Sequence, residues 1–173
     1  MNGGAKLKEL FVEGLKDAFF AEKLVLRALK KMATQTASPE LKTAFEAHIG
    51  ETRNHVERLL RIFDDIEWPE QIDNPVRGET YDAIVDVVDD TRQAVDGLMG
   101  PQALDAAFAA SAQAVGHYEI ARYGLLHTWA QQLGLIYAAK LLQDTLHEEM
   151  NSEKLFGQFA AQNMEHARIG QAA

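Results

Sequence analysis

Four long stretches in which apolar residues return every three or four positions account for most of this chain. Two of the three gaps between them leave room only for a tight reversal. That pattern requires helices paired antiparallel through their apolar stripes, because a short connection forces the next helix back along the one before it. The first helix is predicted over about residues 6–33, with Phe11, Leu15, Ala18, Val25, Leu29 and Met32 on its stripe. A turn follows at Thr34 to Ser38, where Ser38 suits an N-cap and Pro39 the first helical position, which has no N–H partner to lose. The second helix is predicted over about 39–66 and carries Leu41, Phe45, His48, Thr52, His55, Leu59 and Ile62 inward. It stops at Trp68-Pro69, since the residue before proline is pushed out of the helical region.

Residues 67–101 make a connector of 35 residues, longer than compact domains leave structureless. Within it Tyr81, Ile84, Val88, Arg92, Val95 and Leu98 keep helical spacing, which predicts an extra helix over about 79–99. Gly100-Pro101 opens a third long helix, about 102–132, with Leu104, Phe108, Ala112, Val115, Leu126 and Trp129 facing in. Gly134 reads as a turn, and a fourth long helix follows over about 135–166, lined by Ala138, Leu142, Phe156 and Ala160. Short, long, short is the connection pattern of an all-α, ferritin-like four-helix bundle with one crossover, here expected as a single domain over residues 1–173.

Each inner stripe is interrupted by one glutamate: Glu22, Glu51, Glu119 and Glu149. The midpoint of Glu22 and Glu51 falls inside the first turn, and that of Glu119 and Glu149 falls on Gly134. In each hairpin the two carboxylates therefore stand level, about 15 residues or roughly 22 Å from the turn, near the middle of a bundle about 42 Å long. A lone glutamate at the edge of a stripe ordinarily reaches solvent. Four meeting in the interior without cations would cost several kcal/mol each, and a bound multivalent cation removes that conflict.

The second helix of each hairpin offers another ligand four residues on, His55 after Glu51 and Glu153 after Glu149. The candidate metal ligands are therefore Glu22, Glu51, His55, Glu119, Glu149 and Glu153. Glu51 and Glu149 are expected to bridge and the others to be terminal. His48 stands behind them as a ligand or a hydrogen-bonding support. The chain has no cysteine, so disulfides, iron–sulfur clusters, thiolate zinc sites and Cys nucleophiles are excluded. Five carboxylates and one imidazole form a hard donor set suited to two iron ions, with manganese as the alternative. His117 should point away from the site, two residues being about 200° around a helix. Tyr123 could donate to a carboxylate. His127, His147 and His166 read as surface residues, and Glu148 as part of a solvated face.

At these positions the chain resembles the YciE/YciF family of bacterial ferritin-like stress proteins. The matching segments are Leu7-Lys8-Glu9-Leu10-Phe11 with Ala21-Glu22-Lys23, Glu51-Thr52 through Val56-Glu57-Arg58-Leu59, His117-Tyr118-Glu119-Ile120-Ala121 with Tyr123-Gly124, and Gln132-Leu133-Gly134 through Ala139-Lys140-Leu141-Leu142. They touch all four long helices. The resemblance implies a ferritin-like bundle, a homodimer and a di-iron or similar centre. Better-known ferritin-like enzymes place a histidine three residues after the bridging glutamate, where this chain has Asn54 and Ser152.

The leading functional expectation is a di-iron protein of ferroxidase or peroxidase type, acting on oxygen or peroxide in a stress response. The alternatives are a non-catalytic structural or stress protein whose metal stabilises the bundle, and an iron-storing cage. The formal net charge of −9 speaks against nucleic acid as a partner. Twelve acids between Asp64 and Asp105, opposed only by Arg77 and Arg92, read as a solvated face. With no apolar run near the ~20 residues of a membrane span, and no leader at Met1 to Leu10, a cytoplasmic protein without a membrane partner is expected.

Overall fold

The computed structural model describes residues 3–66 and 100–170, with side chains over 4–66 and 100–163. Its four helices are α1 (Gly3–Gln35), α2 (Pro39–Asp65), α3 (Pro101–Gln132) and α4 (Ile136–Gly170), and the described residues contain no strand. The long helices thus follow the sequence stripes, α1 starting a turn earlier and α4 ending a turn later than the apolar pattern alone marks. The helix expected over 79–99 and the side chain of His166 lie outside the described residues.

Local chemistry sets each boundary. Ser38 is extended at φ −71° and ψ 120°, and its Oγ accepts from the Leu41 N–H while Pro39 occupies the first turn of α2. At the other hairpin Gly134 takes φ +70°, a conformation that side chains with a Cβ resist. Leu135 N–H then reaches the Ala130 carbonyl and Gly134 N–H that of Gln131, the paired bonds of a Schellman ending.

The α1–α2 turn is tied to the start of α3. Asp105, expected on the solvated acidic face, is instead buried, and its carboxylate accepts from the backbone N–H groups of Ala37 at 3.0 Å and Ser38 at 2.7 Å. The reason for the difference is local: a helix N-terminal acid beside a turn meets two unpaired amides, which hold the anion out of water. This contact also fixes topology, placing the beginning of α3 at the same end as the α1–α2 turn. Ile66 packs against the slab that contains Leu59, Ala130 and Ala138, so α2 ends and α3 begins at opposite ends of the bundle. That is the single-crossover connection of ferritin-like bundles.

Two apolar slabs fill the interior. Val25, Leu29, Met32, Phe45, Phe108, Val115 and Phe156 form one, with Phe45 and Phe156 stacked at 5.0 Å between centroids. Phe11, Leu15, Phe19, Leu59, Ile62, Leu126 and Leu142 form the other. The layer between them is polar: Glu22, His48, Thr52, His55, Glu119, Thr145, Glu149 and Ser152 are all buried. Replacing Asp105 by Ala leaves two turn amides without their anion and should destabilise the protein by about 2 kcal/mol, with Asp105→Asn intermediate. The midpoint of urea unfolding checks this, and an unchanged midpoint in Asp105→Ala would show that the turn does not depend on the carboxylate.

Candidate metal centre

The polar layer is built from one or two residues of each helix. Glu22 (α1), His55 (α2) and Glu149 (α4) are fully buried, and Glu119 (α3) is 2% exposed. His55 Nδ1 lies 3.2 Å from Glu22 Oε1 and 3.1 Å from Glu149 Oε1, while His48 Nε2 approaches Glu149 Oε2 at 3.9 Å. One oxygen or nitrogen from each of Glu22, His55 and Glu149 lies within 4.8 Å of the other two, and the same holds for His48, Glu119 and Glu149. Two three-residue clusters therefore share Glu149.

Many of their polar atoms have no hydrogen-bond partner in the protein. Glu22 Oε2, both oxygens of Glu119 and of Glu149, and His55 Nδ1 are buried without a hydrogen-bond partner. The short approaches at His55 Nδ1 are thus electrostatic contacts whose direction misses hydrogen-bond geometry. Buried polar groups are nearly always paired, and orphaned carboxylates are especially costly. A concentration of such atoms around two points is what divalent or trivalent cations require, and the oxygen-rich donor set matches iron or manganese.

Supporting groups aim the two imidazoles. Burial works against a cationic His55, but hydrogen bonding to Glu148 and the nearby Glu149 and Glu22 carboxylates outweigh it and push His55 up to about 12. Glu148 is itself lowered to about 2, chiefly by Arg58, which grips it with two bonds of 2.7 Å, and then by His55. An ionised carboxylate only accepts, so the His55 Nε2 at 2.9 Å from Glu148 carries a proton and donates it. A cation would take Nδ1. His48 is arranged the other way round: its Nδ1 faces Glu51 Oε2 at 3.0 Å, and this bond holds Glu51 below the usual carboxylate range against the opposing effect of burial. Nε2 is the atom left to face the centre. Burial and the neighbouring Glu149 and Glu22 charges raise Glu119 well above the ordinary value, and burial and Glu22 do the same to Tyr123. The Tyr123 hydroxyl donates to Glu22 Oε1 at 2.5 Å.

Of the six ligands expected from sequence, the structure brings Glu22, His55, Glu119 and Glu149 together and adds His48. Glu51 and Glu153 stand to the side. Glu51 has a side chain 38% exposed and accepts from His48 and Ser152, and Glu153 accepts from Gln113 and meets His117. At about 100° per residue, each lies roughly 60–70° off the centre of its helix's buried face. His117 points outward as expected, with a side chain 66% exposed. Glu148 is corrected from a solvated residue to the anchor of His55, since on the opposite shoulder of α4 it faces α2 and Arg58. Arg58 carried a usable signal, lying three residues beyond His55 on the same side of α2.

Fold and buried centre define a four-helix bundle protein with a carboxylate–histidine layer between two apolar slabs. The chain belongs to the family described as "Domain of unknown function (DUF892)", matched over residues 6–168. Protein YciF of Escherichia coli K12 is 34% identical over 158 residues, which cover 91% of this chain and 92% of that protein. The crystal structure of the E. coli stress protein YciF superposes with a TM-score of 0.78 at 33% identity, covering 92% of this chain and 97% of that one. YcfI of Rhodopseudomonas palustris, provisionally described as a structural protein, gives 0.77 at 32% identity over 87% and 92%. The Xanthomonas campestris protein XCC3681, 21% identical, shares the fold at a TM-score of 0.72. The resemblance read from the four helical segments is thus upheld at the level of the whole chain.

Two outcomes follow. Glu148→Gln removes the anion that fixes His55 and should weaken Fe(II) binding about 10–100-fold, as loss of a ligand's supporting carboxylate generally does; an affinity within twofold of the parent protein rejects that role. In addition, metal at His55 Nδ1 must displace a proton that the metal-free imidazole keeps up to about pH 12. Binding should therefore tighten as pH rises, about tenfold per unit for each proton released. Calorimetry in buffers of different ionisation enthalpy measures that release, and a pH-independent affinity contradicts it.

Proposed function

We propose that the centre holds two metal ions, iron first and manganese as the alternative, and that it serves ferroxidase- or peroxidase-type chemistry with oxygen or peroxide in a stress response. The observation that carries this reading is the pair of buried clusters sharing Glu149, with their oxygens and His55 Nδ1 unpartnered. Bound iron would supply one-electron steps between its ferrous and ferric states; the chain supplies the surroundings. Glu22 and His55 would hold one ion, His48 and Glu119 the other, and Glu149 belongs to both clusters. Arg58–Glu148 and Glu51–Ser152 keep the imidazoles aimed, which limits reorganisation when the charge at the centre changes. Burial beside Glu149 and Glu22 favours a proton on Glu119, and a bound cation would take the place of that proton. Leu29 and Phe156 on one side and Leu15 and Leu142 on the other restrict water.

Anaerobic Fe(II) titration should reach about two ions per chain, and admission of air should develop near-ultraviolet and visible ferric absorption. Glu149→Gln should lose both ions, whereas Glu22→Gln should lose one. Binding of a single ion that survives Glu149→Gln contradicts the proposal, as does a loaded protein whose iron stays ferrous in air and peroxide.

A second reading, in which the metal only holds the helices together, draws on the same unpartnered carboxylates, whose repulsion a cation relieves. It also fits the structural description carried by the R. palustris relative. It predicts a steep rise in Tm on loading with redox-inert Zn(II) or Mn(II) and no turnover with either oxidant.

A further inference from the structure

A small, partly open pocket lies beside the centre, on the side of the Phe45–Phe156 slab, and meets it at His48. It measures about 10 Å³ and is lined by Val25, Ala28, Leu29 and Met32 of α1, His48 of α2, and Ala112 and Val115 of α3. Val25 follows Glu22 by three residues and Val115 precedes Glu119 by four. The near wall of the space therefore lies about one helical turn along the bundle axis from those two carboxylates, and its far wall, at Met32 and Ala112, two turns or more. His48, whose Nε2 faces the centre, forms its wall on the α2 side.

Its size and lining select the occupant. A space of this size accommodates one small molecule. Water needs two to four hydrogen-bond partners, however, and six of the seven lining residues are aliphatic or Met. The seventh, His48, already has Nδ1 bonded to Glu51. At most one polar atom remains, so the site disfavours water and, still more strongly, peroxide with its two hydroxyls. The residues that create the space are small or β-branched at positions where a leucine would fill it: Ala28, Ala112, Val25 and Val115.

We infer that this space is a binding site for a small apolar gas molecule, with dioxygen as the occupant, held beside His48 next to the metal positions. The choice of dioxygen rests on the redox reading proposed above; the affinity for apolar gas does not. The site would raise the local population of dioxygen next to the His48–Glu119–Glu149 cluster and would not do so for peroxide.

The test uses xenon as an apolar probe of the metal-free protein, followed by methyl NMR. Saturable shifts should appear at the methyl groups of Val25, Leu29, Met32 and Val115 and vanish in Ala112→Leu, which fills the space. Ala28→Leu, at the half-buried edge of the void, serves if Ala112→Leu does not fold. In the Fe(II)-loaded protein the filled variant should be oxidised severalfold more slowly by dioxygen and at the parent rate by peroxide. Absence of xenon shifts at those methyls overturns the site. Equal slowing with both oxidants, or unchanged dioxygen kinetics, overturns its role in delivery. A loaded protein inert to both oxidants overturns the redox reading and the identity of the occupant, while the xenon shifts continue to decide whether an apolar gas binds.

Discussion

Glu22, Glu119, Glu149 and His55 occupy the middle of the bundle with oxygens and a ring nitrogen that meet no hydrogen-bond partner, and the rest of the structure is organised around that conflict. Charges taken out of water without partners oppose folding by several kcal/mol apiece. Apolar slabs on both sides prevent relief by solvent, so the layer relaxes only by holding protons or by binding cations. The upward displacement of His55 and Glu119 favours the first route. The two clusters joined at Glu149 provide the second.

Both imidazoles are held from behind by a carboxylate, but unequally. Glu148 is clamped by the two bonds of Arg58, a charge-assisted fork that tolerates little movement. Glu51 is held by the neutral hydroxyl of Ser152 and is the more exposed of the two. One half of the centre is consequently braced by a charged fork, and the other borders the apolar pocket through His48. The half that borders the void is the natural side for a small molecule to reach.

Much of this was legible before any coordinates. Equal distances of Glu22 and Glu51 from one turn, and of Glu119 and Glu149 from the other, place the polar layer at mid-height because antiparallel helices share one rise per residue. The stripes likewise gave the four helices and their pairing. Rotation about each helix axis was harder to read. Glu51 and Glu153 lie on the shoulders of their faces, where a side chain turns inward or outward according to its neighbours, and here Ser152, Gln113 and His117 draw them aside. Glu148 and Asp105 were misread for the converse reason: Arg58 and the amides of Ala37 and Ser38, which hold them, are far away in sequence. Periodicity places Arg58 on the side of His55 but does not say which carboxylate it will meet, and the turn amides leave no trace in it at all.

The most direct test of the shared-glutamate centre is anomalous diffraction from crystals of the iron-loaded protein. Two peaks should flank the Glu149 carboxylate, about 3.5–4 Å apart, one beside Glu22 and His55 and the other beside His48 and Glu119. A single peak, or peaks at Glu51 and Glu153 with Glu149 uninvolved, would contradict it.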